Sequence, residues 1–217
     1  MARLWNIQGI PFAMGIAVGS SLIGVYQGFT SYWTKSNTQK PHTKINNNSE
    51  GVSHISERYG LPQSANINLQ SKYHSICYDR SKKIPSWALE IINENKLKGE
   101  GHRGNSHFRP DPRVKQQYNA NNDDYLGSGY SRGHMIPASH SKLNQEAMDE
   151  TFYLSNIVPQ DLKNNAGFWY RMELYCKHLA ERYDNVFVIS GPVFKPVDVG
   201  NGKKIMKYEK LTKNAEY

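Results

Sequence analysis

Cysteine is nearly missing from this sequence. Cys77 and Cys176 are the only two in 217 residues, too few for a disulfide framework or a four-ligand structural zinc site. Nothing therefore points to a cystine-stapled secreted protein. Acidic residues are missing from the first 49 positions, and no charge of either sign falls between Arg3 and Lys35, a run of 31 residues. Internal repeats are absent. So is the His-Glu-x-x-His pattern, which argues against a zinc peptidase.

The uncharged run centres on "IPFAMGIAVGSSLIGVY" (10–26). A spanning helix needs ~20 mostly apolar residues, and residues 7–29 meet that length. Gly15 and Gly19 lie on one helical face, suited to close helix contact. The flanks are basic and free of acid, as in mitochondrial targeting segments. Residues 1–33 are therefore expected to form an apolar helix, either an uncleaved membrane anchor or a cleaved mitochondrial targeting segment. "TKSNTQKPHTKINNNSEG" (34–51) has almost no aliphatic residues, so 34–54 reads as a disordered linker. The remaining chain, 55–217, is one domain in size. From residue 51 onward it holds 23 basic and 18 acidic residues, a moderate excess that suits a polyanionic partner without requiring one.

Within that domain, "HSICYD" (74–79) reads as a strand, and "SWALEIIN" (86–93) as its hairpin partner or a helix. Residues 95–122, rich in Gly, Pro and Asn, read mainly as loop. The middle of "ETFYLSNIVPQ" (150–160) reads as a strand. "NNAGFWYRMELYCKHLAERYD" (164–184) places Phe168, Met172, Tyr175, Cys176, Leu179 and Tyr183 at three- and four-residue steps, which predicts a helix, and its leading asparagines suit a helix start. "NVFVISGPVF" (185–194) predicts a buried strand. Strand, helix and loop mix without regular βαβ alternation, so the class is α+β.

"GSGYSRGHMIPASHSK" (127–142) is the least ordinary stretch. Three glycines within seven positions precede His134, and few aliphatics surround it, so the stretch is expected to hold an imidazole in the open with backbone close by. The order of motifs then becomes specific. "YSRGHMIPASH" is followed by "ETFYLSNIVPQDLKNNAGFWYRMELY" and by "VFVISGPVF". Over roughly residues 55–217 this resembles the DNA/RNA non-specific endonucleases of the ββα-metal (His-Me finger) type, and within them the mitochondrial endonuclease and its exonuclease paralogue. The resemblance implies a central antiparallel sheet and a phosphodiester hydrolase acting on DNA and RNA without sequence specificity. It implies a homodimer and a mitochondrial, inner-membrane location.

The resemblance also implies roles. His134 is the general base for the attacking water. Asn165, 31 residues on, is the sole protein ligand of a catalytic Mg²⁺, with Mn²⁺ as a substitute. Glu173, eight further, holds metal-bound water, and Arg132 and Arg103 contact phosphate. The chemistry is coherent, because imidazole is mostly neutral at working pH and Mg²⁺ is often held by few protein ligands. Eight helical residues rise about 12 Å, so either Asn165 precedes the helix or Glu173 acts through water. Asn156, Gln160 and Trp169 read as framework. His102, His107 and His140 lack zinc-ligand spacing.

Two departures matter. Ser131 stands where the family signature Asp-Arg-Gly-His has its acid, which leaves endo- versus exonuclease preference open. The chain also ends at Tyr217, soon after the last strand, so a C-terminally incomplete nuclease domain is expected. The alternative from another class is a catalytically weak nucleic-acid-binding or dimerising module.

Overall fold

The computed structural model describes residues 61–62, 66–193, 197–198, 200 and 204–205. The expected anchor, the linker and the start of the domain near Ile55 lie outside them. No helix among the described residues is long and apolar enough to cross a membrane.

A four-stranded antiparallel sheet in the order β1-β2-β3-β6 forms the frame. Its strands are β1 (Ile67–Gln70), β2 (His74–Asp79), β3 (Ile84–Ile92) and β6 (Val186–Ser190). The segment 84–92, compatible with strand or helix by sequence, is a strand because it is central, pairing β2 on one side and β6 on the other. Alternation divides its side chains between two apolar clusters. Ile76, Tyr78 and Ala88 pack with Met135, Ile136 and Val158, and Cys77, Trp87, Leu89 and Ile91 pack on the opposite face. The expectation of a fully buried strand at 185–194 is not met. β6 is half-exposed, with Ile189 46% accessible, because among the described residues β3 is its only ladder partner.

A second, smaller sheet carries His134. β4 (Ser131–His134) pairs antiparallel with β5 (Ile157–Gln160), setting Ser131 opposite Gln160 and His134 opposite Ile157. Helix follows at once: α3 (Leu162–Asn164), a π turn (Asn165–Trp169) and α4 (Tyr170–Ala180). Two strands and a helix thus form one compact ββα unit. Asp161, not an asparagine, caps this helix, its side chain accepting from the Asn164 amide at 2.9 Å. Cys176 on α4 packs with Ile92, Leu97 and Val188, docking the helix on the main sheet.

Shorter pieces complete the described chain. α1 (Glu94–Lys98) follows β3, and α2 (Gln145–Glu150) precedes β5. The stretch 95–122 is loop and single 3-10 turns beyond α1, as its composition implies. β7 (Val197–Asp198) and β8 (Lys204–Ile205) form a separate two-stranded ladder.

Candidate active site

His134 is not held in the open. It ends β4 and is 7% exposed. The glycines around it have two separate jobs. Gly127 and Gly129 take positive φ (69° and 81°) in the turn before β4, where other residues are strained. Gly133 makes room: a Cβ there would lie 2.1 Å from Gln160 Oε1 on the paired strand.

The imidazole packs against two phenyl rings that also touch each other. Phe108 is 5.3 Å from it, centroid to centroid, and Phe152 is 5.1 Å away and edge-on. Each phenyl ring carries an arginine. The Arg132 guanidinium lies 4.3 Å from the Phe108 centroid, and that of Arg103 lies 5.6 Å from the Phe152 centroid. Arg132 is further fixed by donating to Asn122 Oδ1 at 2.7 Å. Burial, and then the charges of Arg103 and Arg132, hold the His134 pKa down to about 3. The ring is therefore neutral at ordinary pH, and its buried Nε2 has no hydrogen-bond partner among the described residues. Trp169 Nε1 donates to the His134 main-chain oxygen at 3.0 Å, tying the helix to the end of β4.

Asn165 opens the π turn and faces β4 across the ββα unit. Its orientation follows from proton counting. Ser131 Oγ has one hydrogen and donates it to the Gln160 carbonyl at 2.8 Å, so toward Asn165, 3.0 Å away, it can only accept. Nδ2 must therefore face Ser131. Oδ1 makes no hydrogen bond among the described residues and presents a carbonyl oxygen of the kind Mg²⁺ prefers. Among the described residues no group of three or more His, Cys, Asp and Glu is placed to hold a metal, and the Asn165 carbonyl oxygen is a hard donor of the kind that suits a hard cation.

Glu173 lies on α4, in the same helical run as Asn165, so Asn165 does not precede the helix. Burial pushes its carboxyl up to about 7; the charge of His140 opposes this, Glu90 adds to it, and Arg103 opposes it again. A cleft of about 410 Å³ adjoins the site, lined in part by Arg103, Phe108, Asn122, Tyr130, Ser131 and Arg132.

All five residues singled out from the sequence thus belong to one region. Arg103 influences both His134 and Glu173, Ser131 and Arg132 share β4 with His134, and Asn165 bonds to Ser131 from the helix. The framework readings hold as well. Asn156 is fully buried, donates to Ile136 O and Thr151 O, and accepts from the Ile136 amide. His102, His107 and His140 do not gather: His102 caps the turn at Gly104, while His140 is buried against Glu90. Phe108, Phe152 and Glu90 were not visible as site residues, because a phenylalanine or one acid in a strand has no spacing that marks it.

Comparison with known proteins agrees with this geometry. The profile of the DNA/RNA non-specific endonuclease family matches residues 53–212. The human mitochondrial nuclease EXOG is 46% identical over 155 residues, which are 71% of this chain and 42% of that protein. The Danio rerio mitochondrial nuclease EXOG is 40% identical over 208 residues, 96% of this chain and 56% of that protein. Human mitochondrial endonuclease G is 39% identical over 157 residues, 72% of this chain and 52% of that protein. The chain spans about half the length of these relatives. A crystal structure of the EndoG/EndoGI complex superposes with a TM-score of 0.68 at 32% identity, covering 74% of this chain and 67% of that one. The chain belongs to the DNA/RNA non-specific endonucleases, with their ββα-metal fold and central antiparallel sheet.

Proposed function

We propose that the chain is a metal-dependent nuclease that hydrolyses phosphodiester bonds of DNA and RNA without sequence specificity. The observation that carries this reading is the His134 imidazole, buried and held neutral against two arginine-capped phenyl rings. A general base must be unprotonated before it acts, and this environment keeps it so. Arg103 and Arg132 take the scissile phosphate. Their charges then face phosphate oxygens as well as the imidazole, so binding substrate raises the basicity of His134 when a proton must be taken from water. A positioned base of this kind contributes typically ~10²–10⁴-fold.

Asn165 Oδ1 would hold the ion, Mg²⁺ with Mn²⁺ as a substitute. Such an ion supplies Lewis-acid stabilisation of the phosphoryl and leaving oxygens. Glu173 orients water from further along the same helical run, since eight residues separate it from Asn165 by about 12 Å. Backbone phosphates, not base edges, are the recognised feature, which accounts for the absence of sequence preference.

Mitochondrial location is supported by the relatives, which are mitochondrial nucleases, with residues 1–33 as inner-membrane anchor or targeting segment. The homodimer rests on the family resemblance. Digestion of supercoiled and end-labelled DNA with Mg²⁺ or with EDTA tests the activity. Cleavage is expected with Mg²⁺ only, and its loss is expected in His134→Ala and in Asn165→Ala with DNA affinity nearly intact. Either variant cutting at the wild-type rate removes that residue from the mechanism.

A further inference from the structure

Strand β3 carries an acid among aliphatics. Glu90, between Leu89 and Ile91, is only 4% exposed, and it faces His140, which is 2% exposed. Glu90 Oε1 stands 3.0 Å from His140 Nδ1. The other ring nitrogen, Nε2, stands 3.0 Å from the main-chain oxygen of Glu173. A carboxylate and a peptide carbonyl only accept hydrogen bonds. With Glu90 ionised, the imidazole satisfies both acceptors by donating from both nitrogens, as an imidazolium with Glu90 as counter-charge. A buried ion pair of this kind is weak as a source of stability, and apolar side chains of similar volume often serve as well. Packing alone does not explain its presence.

Its position in the chain does. His140 closes the 3-10 turn Ala138–His140, six residues beyond His134. Trp169 donates to the main chain of His134, and His140 donates to the main chain of Glu173. The segment from 134 to 140 therefore grips the helix at residues 169 and 173, one turn apart. Two such bonds fix both the axial position and the rotation of a helix. The second is anchored further through its side chain, from His140 to Glu90 on the central strand.

We propose that Glu90 and His140 are positioning residues, a buried strut that sets the α4 turn bearing Glu173 against His134 and so completes the site. The purpose of the strut rests on the nuclease reading; its geometry does not. Burial opposes protonation of His140, and Glu90 together with the Glu173 carbonyl outweighs it, so the pKa is raised. The other charged or titratable groups around the pair are Lys96, Cys176, Arg103 and the Glu173 carboxyl itself.

Two measurements test this. In a long-range ¹H–¹⁵N spectrum of the wild-type chain at pH 7, both His140 ring nitrogens should resonate as protonated; a neutral tautomer overturns the proposal. The double variant Glu90→Leu/His140→Phe removes the charge pair without leaving one partner buried alone. It should keep the wild-type melting temperature within a few degrees, and its DNA Kd and KM within about twofold, while kcat falls about 10–100-fold. A folded double variant with wild-type kcat overturns the strut. Should that variant not fold, Glu90→Gln, which keeps the shape and removes the charge, replaces it with the same expected kcat loss and the same overturning result. Wild-type chain that fails to cut DNA with Mg²⁺ sinks the nuclease reading instead, and the spectrum still decides whether the pair exists.

Discussion

Ser131 Oγ accepts a hydrogen bond from Asn165 Nδ2 at 3.0 Å while donating its own proton to the Gln160 carbonyl. That relay decides which end of the Asn165 amide faces outward.

Ser131→Ala removes the acceptor and frees the amide to rotate. Losses of a group that orients a metal ligand typically cost about 10–100-fold in metal affinity or activity. The expected outcome is a rate loss in that range, a higher Mg²⁺ concentration for half-maximal cleavage, and unchanged DNA affinity. Ser131→Thr, which keeps the hydroxyl, should retain most of the rate. Equal rates for alanine and wild type would show that the relay does not orient Asn165.

Acid should weaken the fold through two histidines. Burial holds His74 down to about 3, helped by the charges of Arg113 and Lys96, as burial and two arginines hold His134. The sign follows from proton counting. Below the unfolded value of about 6.5 the unfolded chain binds protons that the folded chain refuses, so stability is full above pH 6.5 and declines as pH falls toward 3. Each histidine contributes up to ~1.4 kcal/mol per pH unit over that window. His74 also has neither ring nitrogen satisfied among the described residues, with Glu150 3.9 Å away and out of hydrogen-bond range. His74→Leu should therefore hold or raise the melting temperature at pH 7 and flatten its decline toward pH 5. An unchanged decline would mean that His74 is protonated in the native state.

Asp111 is fully buried and holds the loop that leads from Arg103 toward β4. It accepts from the Arg113 amide and from its Nε, both at 2.9 Å, and from Ser155 Oγ at 2.5 Å. Although burial opposes ionisation, these bonds and the Arg113 charge keep its carboxyl below the usual range. Removing one partner of such a pair strands the other, so Asp111→Ala should cost roughly 3–5 kcal/mol. Urea titration measures it, and a loss under about 1 kcal/mol, the size of an exposed pair, would contradict the structural weight given to this residue.

Much of this architecture was legible in the residues, but unevenly. The 164–184 periodicity predicts its helix because one face, including Cys176, docks on β6 and β3. The strand at 74–79 is equally plain, whereas 86–93 stays open between strand and helix until β2 and β6 flank it. Yet Ser131–His134 is a strand although Ser-Arg-Gly-His has no strand alternation; pairing with β5, and the space left by Gly133, override local preference. Phe108 and Phe152 reach His134 from positions 26 residues before and 18 after it. No local pattern encodes such a meeting. Glu90 likewise reads as the polar slip in a buried strand until His140 arrives from 50 residues away.

The two arginines should separate in their effects on binding. Arg132 is preorganised, stacked on Phe108 and bonded to Asn122, whereas Arg103 is exposed on a short turn over Phe152. If each neutralises one phosphate, the slope of log affinity against log salt should change by about 0.7–0.9 for each arginine removed. Arg103→Ala and Arg132→Ala should both flatten the slope by that amount, uniformly across DNA sequences, because phosphate contacts carry no base information. Lysine replacements should divide them. A flexible ammonium can still meet a phosphate from position 103, so Arg103→Lys should keep most of the affinity. At 132 the planar fork serves a ring face, an amide oxygen and the substrate together, and lysine cannot hold all three. Arg132→Lys should therefore keep the salt slope, which counts charge, and still lose cleavage rate about tenfold or more, as misplaced groups do. Filter binding across a salt series, paired with single-turnover cleavage, gives both readouts. A lysine at 132 that cuts as fast as arginine would reduce Arg132 to a point charge and leave its stack on Phe108 without a catalytic purpose.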